Sequence, residues 1–242
     1  MNILVTGGEG FIGKKLVNKL TKEGHNVTSL DLKSTADIVA DLSEPNFDFN
    51  CISNIDYIFH LAAQPGGYFS LDNPYTDGKW NCLGTINVVK LAQKLKVKKL
   101  IYTSSMAIYG NQKLSSENLL GKNQPKAISF YGVSKFTGEL YTKLIYEHSG
   151  IPYTIFRLFA TYGSGQDLEN EHQGILSIYL NQALNDKKSA TIKITGNKNR
   201  VRELVHVDDV IEALMLSFDS KTDNNIYNVS NPEQLTPEII IN

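Results

Sequence analysis

Residues 6–13 read TGGEGFIG and come directly after the apolar run Ile3-Leu4-Val5. Four of these eight residues are glycine. Inside a regular element glycine costs about 0.5–1 kcal/mol relative to alanine, so a cluster at a strand exit calls for a reason to keep the backbone bare. Downstream, Phe11, Ile12, Leu16, Val17 and Leu20 recur at helical spacing and form a stripe that would face a sheet. In a strand–turn–helix context Gly7 makes the tight turn and Gly10 lets a pyrophosphate approach the backbone. Gly13 lets the helix pack closely on the strand, and the helix N-terminus offers N–H groups and the positive end of its dipole. Asp31 closes the next strand-like run, 18 residues after Gly13. A carboxylate there accepts from both adenosine ribose hydroxyls and repels a 2′-phosphate, which favours NAD over NADP. Lys33, two residues on, would soften that preference.

Working outward, apolar strand-like runs stand at 2–6, 27–31, 56–61, 99–103 and 153–158. Helical patterns lie between them at 11–23, 79–95 and 131–148, with a weaker one at 45–53. This alternation predicts an α/β fold, a doubly wound parallel sheet of the Rossmann kind covered on both faces. After Tyr162 the rhythm loosens: a polar stretch leads to a helix at 174–186, a strand at 190–195 and the loop GNKNRVRE. Regular character returns with LVHVDDVIEALMLSF and the strand IYNVS. The expected division is a dinucleotide-binding domain over 1–162, to which 203–230 returns, and a small, shortened substrate lobe from 163–202 and 231–242.

The chain has 242 residues, 41% hydrophobic and 20% charged, as a globular protein does. A net charge of −1 gives no electrostatic reason to expect nucleic acid or an anionic membrane as partner. No apolar run approaches the roughly 18 residues that span a bilayer, and the N-terminus lacks the pattern of a signal peptide. Cys51 and Cys82 have no paired spacing and are read as two buried thiols of a reducing, cytoplasmic compartment. The histidines at 25, 60, 148, 172 and 206 are scattered, and no metal is expected.

YGVSK places Tyr131 and Lys135 four apart on one face of a helix start. An ordinary tyrosine titrates near 10, so acid–base work at neutrality needs a shift of roughly 3 units, about 4 kcal/mol. An ammonium one turn away would supply part of it. By itself the pair equally fits an exposed helix turn.

Taken together, TGGEGFIG, HLAAQPGGYFSLDNP, WNCLGT, YTSSMAIYG, YGVSK, FRLFATYGSGQ and VRELVHVDDV are similar to the extended short-chain dehydrogenase/reductases. The likeness is to their nucleotide-sugar epimerase/dehydratase branch, of the UDP-glucose 4-epimerase kind, in order from residue 1 to about 230. The resemblance implies a Rossmann core, bound NAD(H) and a nucleoside-diphosphate sugar as substrate. It makes Tyr131 the catalytic acid/base and Lys135 its partner, which also holds the nicotinamide ribose. Ser105 would hydrogen-bond the reacting oxygen, with Ser104 as its neighbouring alternative and strand-end capping as the plain reading. Asn81 matches a structural and relay asparagine. Phe11 and Ile12 join the glycines at the cofactor, Asp41-Leu42 matches the pair at the adenine, and Leu61, Ala62 and Ala63 match the segment along the pyrophosphate and ribose. In the same family a helix pair forms a four-helix dimer interface. The stripes Val88, Leu91, Leu95 and Leu140, Leu144, Ile145 carry the expectation of a homodimer.

Lysine and arginine total 24, yet arginine occurs only at 157, 200 and 202. Its planar fork suits phosphate oxygens, and Arg202 matches the family's diphosphate-binding arginine. Arg157, inside a strand, is read as structural, bonding carbonyls or a carboxylate such as Asp208 or Asp209; Arg200 is read as a solvated loop residue. Asp208 or Asp209 would cap a helix over 207–219.

Departures carry weight too. Dehydratases of this branch place an Asp-Glu pair where Met106 and Ala107 stand. Elimination of water needs an acid and a base on neighbouring carbons, and these two cannot titrate. Ala160 replaces a common asparagine, Ser164 a proline and Glu203 an aspartate. LTPE, with Thr236 as cap and Pro237 in the first turn, reads as a helix start at the very end. The expectation is a truncated longer chain or a short lineage with a reduced lobe. Three functions remain: an epimerase acting by transient oxidation, a reductase or dehydrogenase of an activated sugar, and a non-catalytic dinucleotide-binding protein.

Overall fold

The computed structural model describes residues 1–112, 124–169, 174–185, 191–194, 197, 199 and 201–241. The chain enters through β1 (Asn2–Thr6), turns into α1 (Phe11–Lys22) and returns as β2 (Asn26–Asp31) and the short β3 (Ile38–Val39). It crosses back to β4 (Tyr57–His60), then runs through α2 (Gly67–Asp72), α3 (Pro74–Asp77) and α4 (Gly84–Leu95) to β5 (Lys99–Ser105). Helix α5 (Phe130–Ser149) leads to β6 (Tyr153–Leu158), continued by β7 (Ala160–Tyr162). After α6 (Ile175–Asn185) come β8 (Arg202–His206), α7 (Val207–Met215), β9 (Asn225–Val229), β10 (Gln234–Leu235) and α8 (Pro237–Ile241).

Seven strands form one sheet in the order β3-β2-β1-β4-β5-β6-β9, and every pairing in it is parallel. The order reverses between β1 and β4, which opens a crevice at their carboxyl ends, where doubly wound sheets bind ligands. Strand residues alternate between two cores. Ile3 and Val5 pack with Leu16, Leu20, Val210 and Leu214 on one face. Leu4 packs with Val88, Leu91 and Ile145 on the other. A second sheet holds β8 between β10, antiparallel, and β7, parallel.

Several expectations need correction. The segment 45–53 forms only a single 3-10 turn at Phe49–Cys51, and residues 191–194 carry no strand. The helix expected from 79 begins at Pro74 and passes through a wide π turn, Gly78–Leu83. Cys51 is exposed rather than buried. Of the two apolar stripes, Val88, Leu91 and Ile145 are wholly buried under the sheet, while Leu140 and Leu144 are each 45% exposed. Position 200 lies outside the described residues. The carboxylate that meets Arg157 is neither Asp208 nor Asp209 but Glu139: Nε and Nη2 donate to its two carboxylate oxygens at 2.9 and 2.8 Å. Periodicity could not find that partner, since α5 and β6 meet only in the fold. The residue capping α7 is His206, whose Nδ1 accepts from the Asp208 amide at 3.3 Å, with Asp208 and Asp209 in the first turn.

Candidate active site

The crevice widens into a cavity of about 960 Å³. Its floor is the turn from β1 to α1, and the three glycines act there for different reasons. Gly7 has φ +71°, and a Cβ on it would stand 2.7 Å from the Ala62 nitrogen. A Cβ on Gly13 would stand 2.0 Å from the Gly7 carbonyl oxygen. Both are therefore required by the packing of the protein itself. Gly10 is not: its φ is −78°, as any residue adopts, and its Cβ would meet only the Gly7 oxygen, at 3.2 Å. It lines the cavity and caps α1 without a side-chain bond to the first amides. The bare surface at Gly10 is space held for something outside the chain, beside free N–H groups that suit an anion.

Asp31 lines the cavity at the end of β2. Its carboxylate is oriented by two backbone amides, of Glu9 at 3.0 Å and Lys33 at 3.2 Å. The Lys33 ammonium donates to the Glu9 carbonyl at 3.1 Å, so the lysine is engaged with the glycine loop. Asp41, Leu42, Leu61, Ala62 and Ala63 line the same end, with Phe11 and Ile12. Burial pushes Asp41 up, but the Ser43 hydroxyl and amide and the Lys79 ammonium outweigh it, and the carboxyl stays below its usual range. A bare cradle at a helix N-terminus, a fixed carboxylate and an apolar slot together fit a dinucleotide such as NAD.

Farther in, β5 sends its last two serines opposite ways, as strand alternation requires. Ser104 donates to Glu139 Oε1 at 2.6 Å, away from Tyr131. Ser105 lines the cavity together with Tyr131, and its hydroxyl accepts from the Ala107 amide at 3.2 Å, capping the 3-10 turn Met106–Tyr109. The capping and the site reading therefore both describe one hydroxyl. Tyr131 sits in the first turn of α5, which is capped by Ser129 at 3.1 Å from the Gly132 amide. One turn on, Lys135 is 3% exposed, with its ammonium 4.4 Å from the centroid of the Tyr102 ring.

The electrostatics differ from the simple picture of a lysine drawing the tyrosine down. Burial pushes Tyr131 up to about 12, the Ser105 hydroxyl draws it down, and the Asp77 charge raises it. Burial pulls Lys135 down to about 7, opposed by the charges of Glu139, Asp77 and Cys82. Removal from water penalises each ion taken singly. An ammonium beside an ionised tyrosine offsets part of that penalty for each.

Asn81 is 1% exposed and fully engaged. Its Oδ1 accepts from the Gln64 amide at 2.7 Å, and its Nδ2 faces the Gln64 carbonyl, Asp77 Oδ1 and Ser134 Oγ at 3.1, 3.0 and 3.0 Å. It clamps the chain after β4 to the turn before α4 and to α5; among the residues lining the cavity it does not appear. At the far end Arg202 lines the cavity from β8, near Tyr179 of α6. Tyr179, Trp80 and Gln166 also line it and were missed from sequence, since a single aromatic or amide in a helix or loop has no periodicity to mark it.

The model of the NAD-dependent epimerase/dehydratase family matches residues 3–230. The UDP-glucose 4-epimerase of Mycolicibacterium smegmatis is 32% identical over 238 residues, 89% of this chain and 72% of that protein. Among solved structures, UDP-glucose 4-epimerase of Thermotoga maritima with UDP-glucose has a TM-score of 0.90 at 30% identity, covering 100% of this chain and 80% of that one. The Thermus thermophilus UDP-glucose 4-epimerase complex with NAD has a TM-score of 0.83 at 28% identity, covering 100% and 81%. With the cradle, the carboxylate at the end of β2 and these likenesses in one frame, the chain belongs to the NAD-dependent epimerase/dehydratase family.

Proposed function

We propose that the protein epimerises a nucleoside-diphosphate sugar through a transient keto intermediate, with NAD recycled at each turnover. One observation carries this reading: Ser105, Tyr131 and Lys135 line the same cavity as the bare cradle at Gly10, and Arg202 reaches it as well. The chemistry NAD supplies when bound is reversible hydride acceptance from a carbinol carbon. Tyr131 takes the hydroxyl proton of that carbon and later returns it, Ser105 holds the same oxygen, and the Lys135 ammonium balances the tyrosinate. Arg202 binds the diphosphate through its planar fork. The segments 163–202 and 231–242 form the substrate lobe in this reading. Met106 and Ala107 give no acid or base for dehydration. Two cysteines without paired spacing accord with a cytoplasmic place of action. The exposed Val133, Leu140 and Leu144 of α5 accord with a homodimer, and nucleotide-sugar chemistry accords with a role in polysaccharide biosynthesis.

A panel of nucleotide sugars, uridine diphosphate sugars first, tests the assignment with products identified by mass and NMR. A substrate deuterated at the reacting carbon should give an epimer that keeps its label, without free NADH. Label accumulating on free NADH identifies a net dehydrogenase, and no product with any sugar leaves a binding protein. Tyr131→Phe should keep NAD affinity and lose about 10²–10⁴-fold in rate, the usual range for general acid–base catalysis.

A further inference from the structure

Behind the catalytic face of α5 lies a carboxyl group that the reaction as described does not use. Asp77 closes α3 and is 1% exposed. Its Oδ1 accepts from Asn81 Nδ2 at 3.0 Å, and the same nitrogen lies 3.0 Å from Ser134 Oγ. Ser134 stands on the same helical face as Tyr131 and Lys135, three and four residues after the tyrosine, and its hydroxyl also reaches the Tyr131 carbonyl at 3.1 Å. Asp77 is thus anchored to the turn of helix that carries both groups.

Burying a carboxyl is costly unless a cation compensates it. Glu139, the other buried acid of this region, has one: Arg157 grips both its oxygens, and Ser104 adds a third bond. Asp77 makes no salt bridge among the described residues. The titratable groups that its charge acts on through space are Lys135 and Tyr131 from α5 and Cys82 from the turn that follows α3. Tyr68 and Asp72 of α2 and Lys79 of the turn are exposed, and Lys79 is paired with Asp41 and Glu44. Among the described residues the cation that acts on Asp77 is therefore Lys135, and away from water such an interaction persists beyond contact distance.

We propose that Asp77 is a positioning residue for the reaction, its carboxylate holding Lys135 as the ammonium that Tyr131 needs. This rests on the acid–base reading of Tyr131 given above. It is also specific in sign. A negative charge at this place raises the titration of both Lys135 and Tyr131. Removing it lowers both, so the tyrosine loses its proton at lower pH and the lysine does as well.

Asp77→Asn keeps the shape and removes the charge. The kcat–pH profile should move bodily to lower pH, by about 1 unit on both limbs, with KM little changed and NAD affinity by calorimetry equal to wild type. Ser134→Ala, which removes a hydrogen bond and no charge, should leave the limbs in place. If Asp77→Asn does not fold, Asp77→Ser carries the same expectation. A fall in kcat by one factor at every pH, with unmoved limbs, overturns the proposal and leaves Asp77 a purely structural group. Tyr131→Phe separates the two levels: if it stays active the acid–base reading itself fails, whereas an inactive Tyr131→Phe beside unmoved limbs in Asp77→Asn rejects Asp77 alone.

Discussion

At the glycine-rich end of the cavity the chain withholds side chains, and on the opposite side it crowds them in. The cradle is local: Gly7, Gly10 and Gly13 lie in one turn, and Asp31 comes from the next strand. What it requires is absence of atoms, to let α1 close on Gly7 and to leave Gly10 open. The opposite wall presents Ser105, Tyr131 and Lys135, with Asp77, Asn81, Glu139 and Arg157 packed behind them, all partly or wholly buried, from four separate elements and one turn. A polar group taken from water there must find its partner or cost about 1–3 kcal/mol. The first wall tolerates no added atom, and the second no removed one.

The largest expected effect breaks the cradle. Gly13→Val would force a side chain into the Gly7 carbonyl, already 2.0 Å from where its Cβ would stand. Loss of NAD binding by calorimetry, with loss of the folded helix signal, is the expected outcome; unchanged binding would mean that α1 does not close on this turn. On the other wall Arg157→Met leaves Glu139 buried and unpaired at 0% exposure. Destabilisation of about 3–5 kcal/mol by urea unfolding is expected, as for other broken buried pairs. Glu139→Gln with Arg157→Met should recover part of it, because the double change removes both charges.

The most gradual effect concerns pH. His60 is 1% exposed, between Thr6 Oγ1 at 2.7 Å and Thr85 Oγ1 at 3.0 Å. Thr85 already donates to the Asn81 carbonyl at 2.6 Å, so His60 Nε2 carries the proton and Nδ1 accepts. Burial first, and the Lys135 charge second, pull the imidazole from 6.5 down to about 3. The unfolded chain then binds a proton that the folded one refuses, and stability is lost as pH falls from 6.5 toward 3. The slope is about 1.4 kcal/mol per pH unit for this one group. Thermal melts between pH 4 and 7 should show a shallower dependence in His60→Asn, and equal slopes would show that the imidazole charges in place.

How far each wall could be read in advance follows the same division. Glycine spacing, an apolar helical stripe and a carboxylate ending the next strand are features of consecutive residues, so the parallel sheet, the cradle and Asp31 were legible before any coordinates. Tyr131 and Lys135 were legible too, since one helical turn joins them, and Ser105 came through the family resemblance. Reading the chain alone left Ser104 beside Ser105, and only strand alternation against α5 turns one to Glu139 and leaves the other on the cavity, capping Met106–Tyr109. It offered Asp208 or Asp209 to Arg157, because the pairing with Glu139 joins two elements with no local pattern between them. It offered Val88, Leu91 and Ile145 along with Leu140 and Leu144 for a subunit interface, because a periodic stripe does not say which neighbour covers it. Asp77 went unread altogether, and so did the direction in which burial moves Tyr131 and Lys135. The sequence by itself determined the fold and the cofactor, which depend on steric rules acting over a few residues. The tertiary structure decided the partners and charges of the wall around Tyr131, because burial and Coulomb interaction depend on what the remaining chain brings alongside.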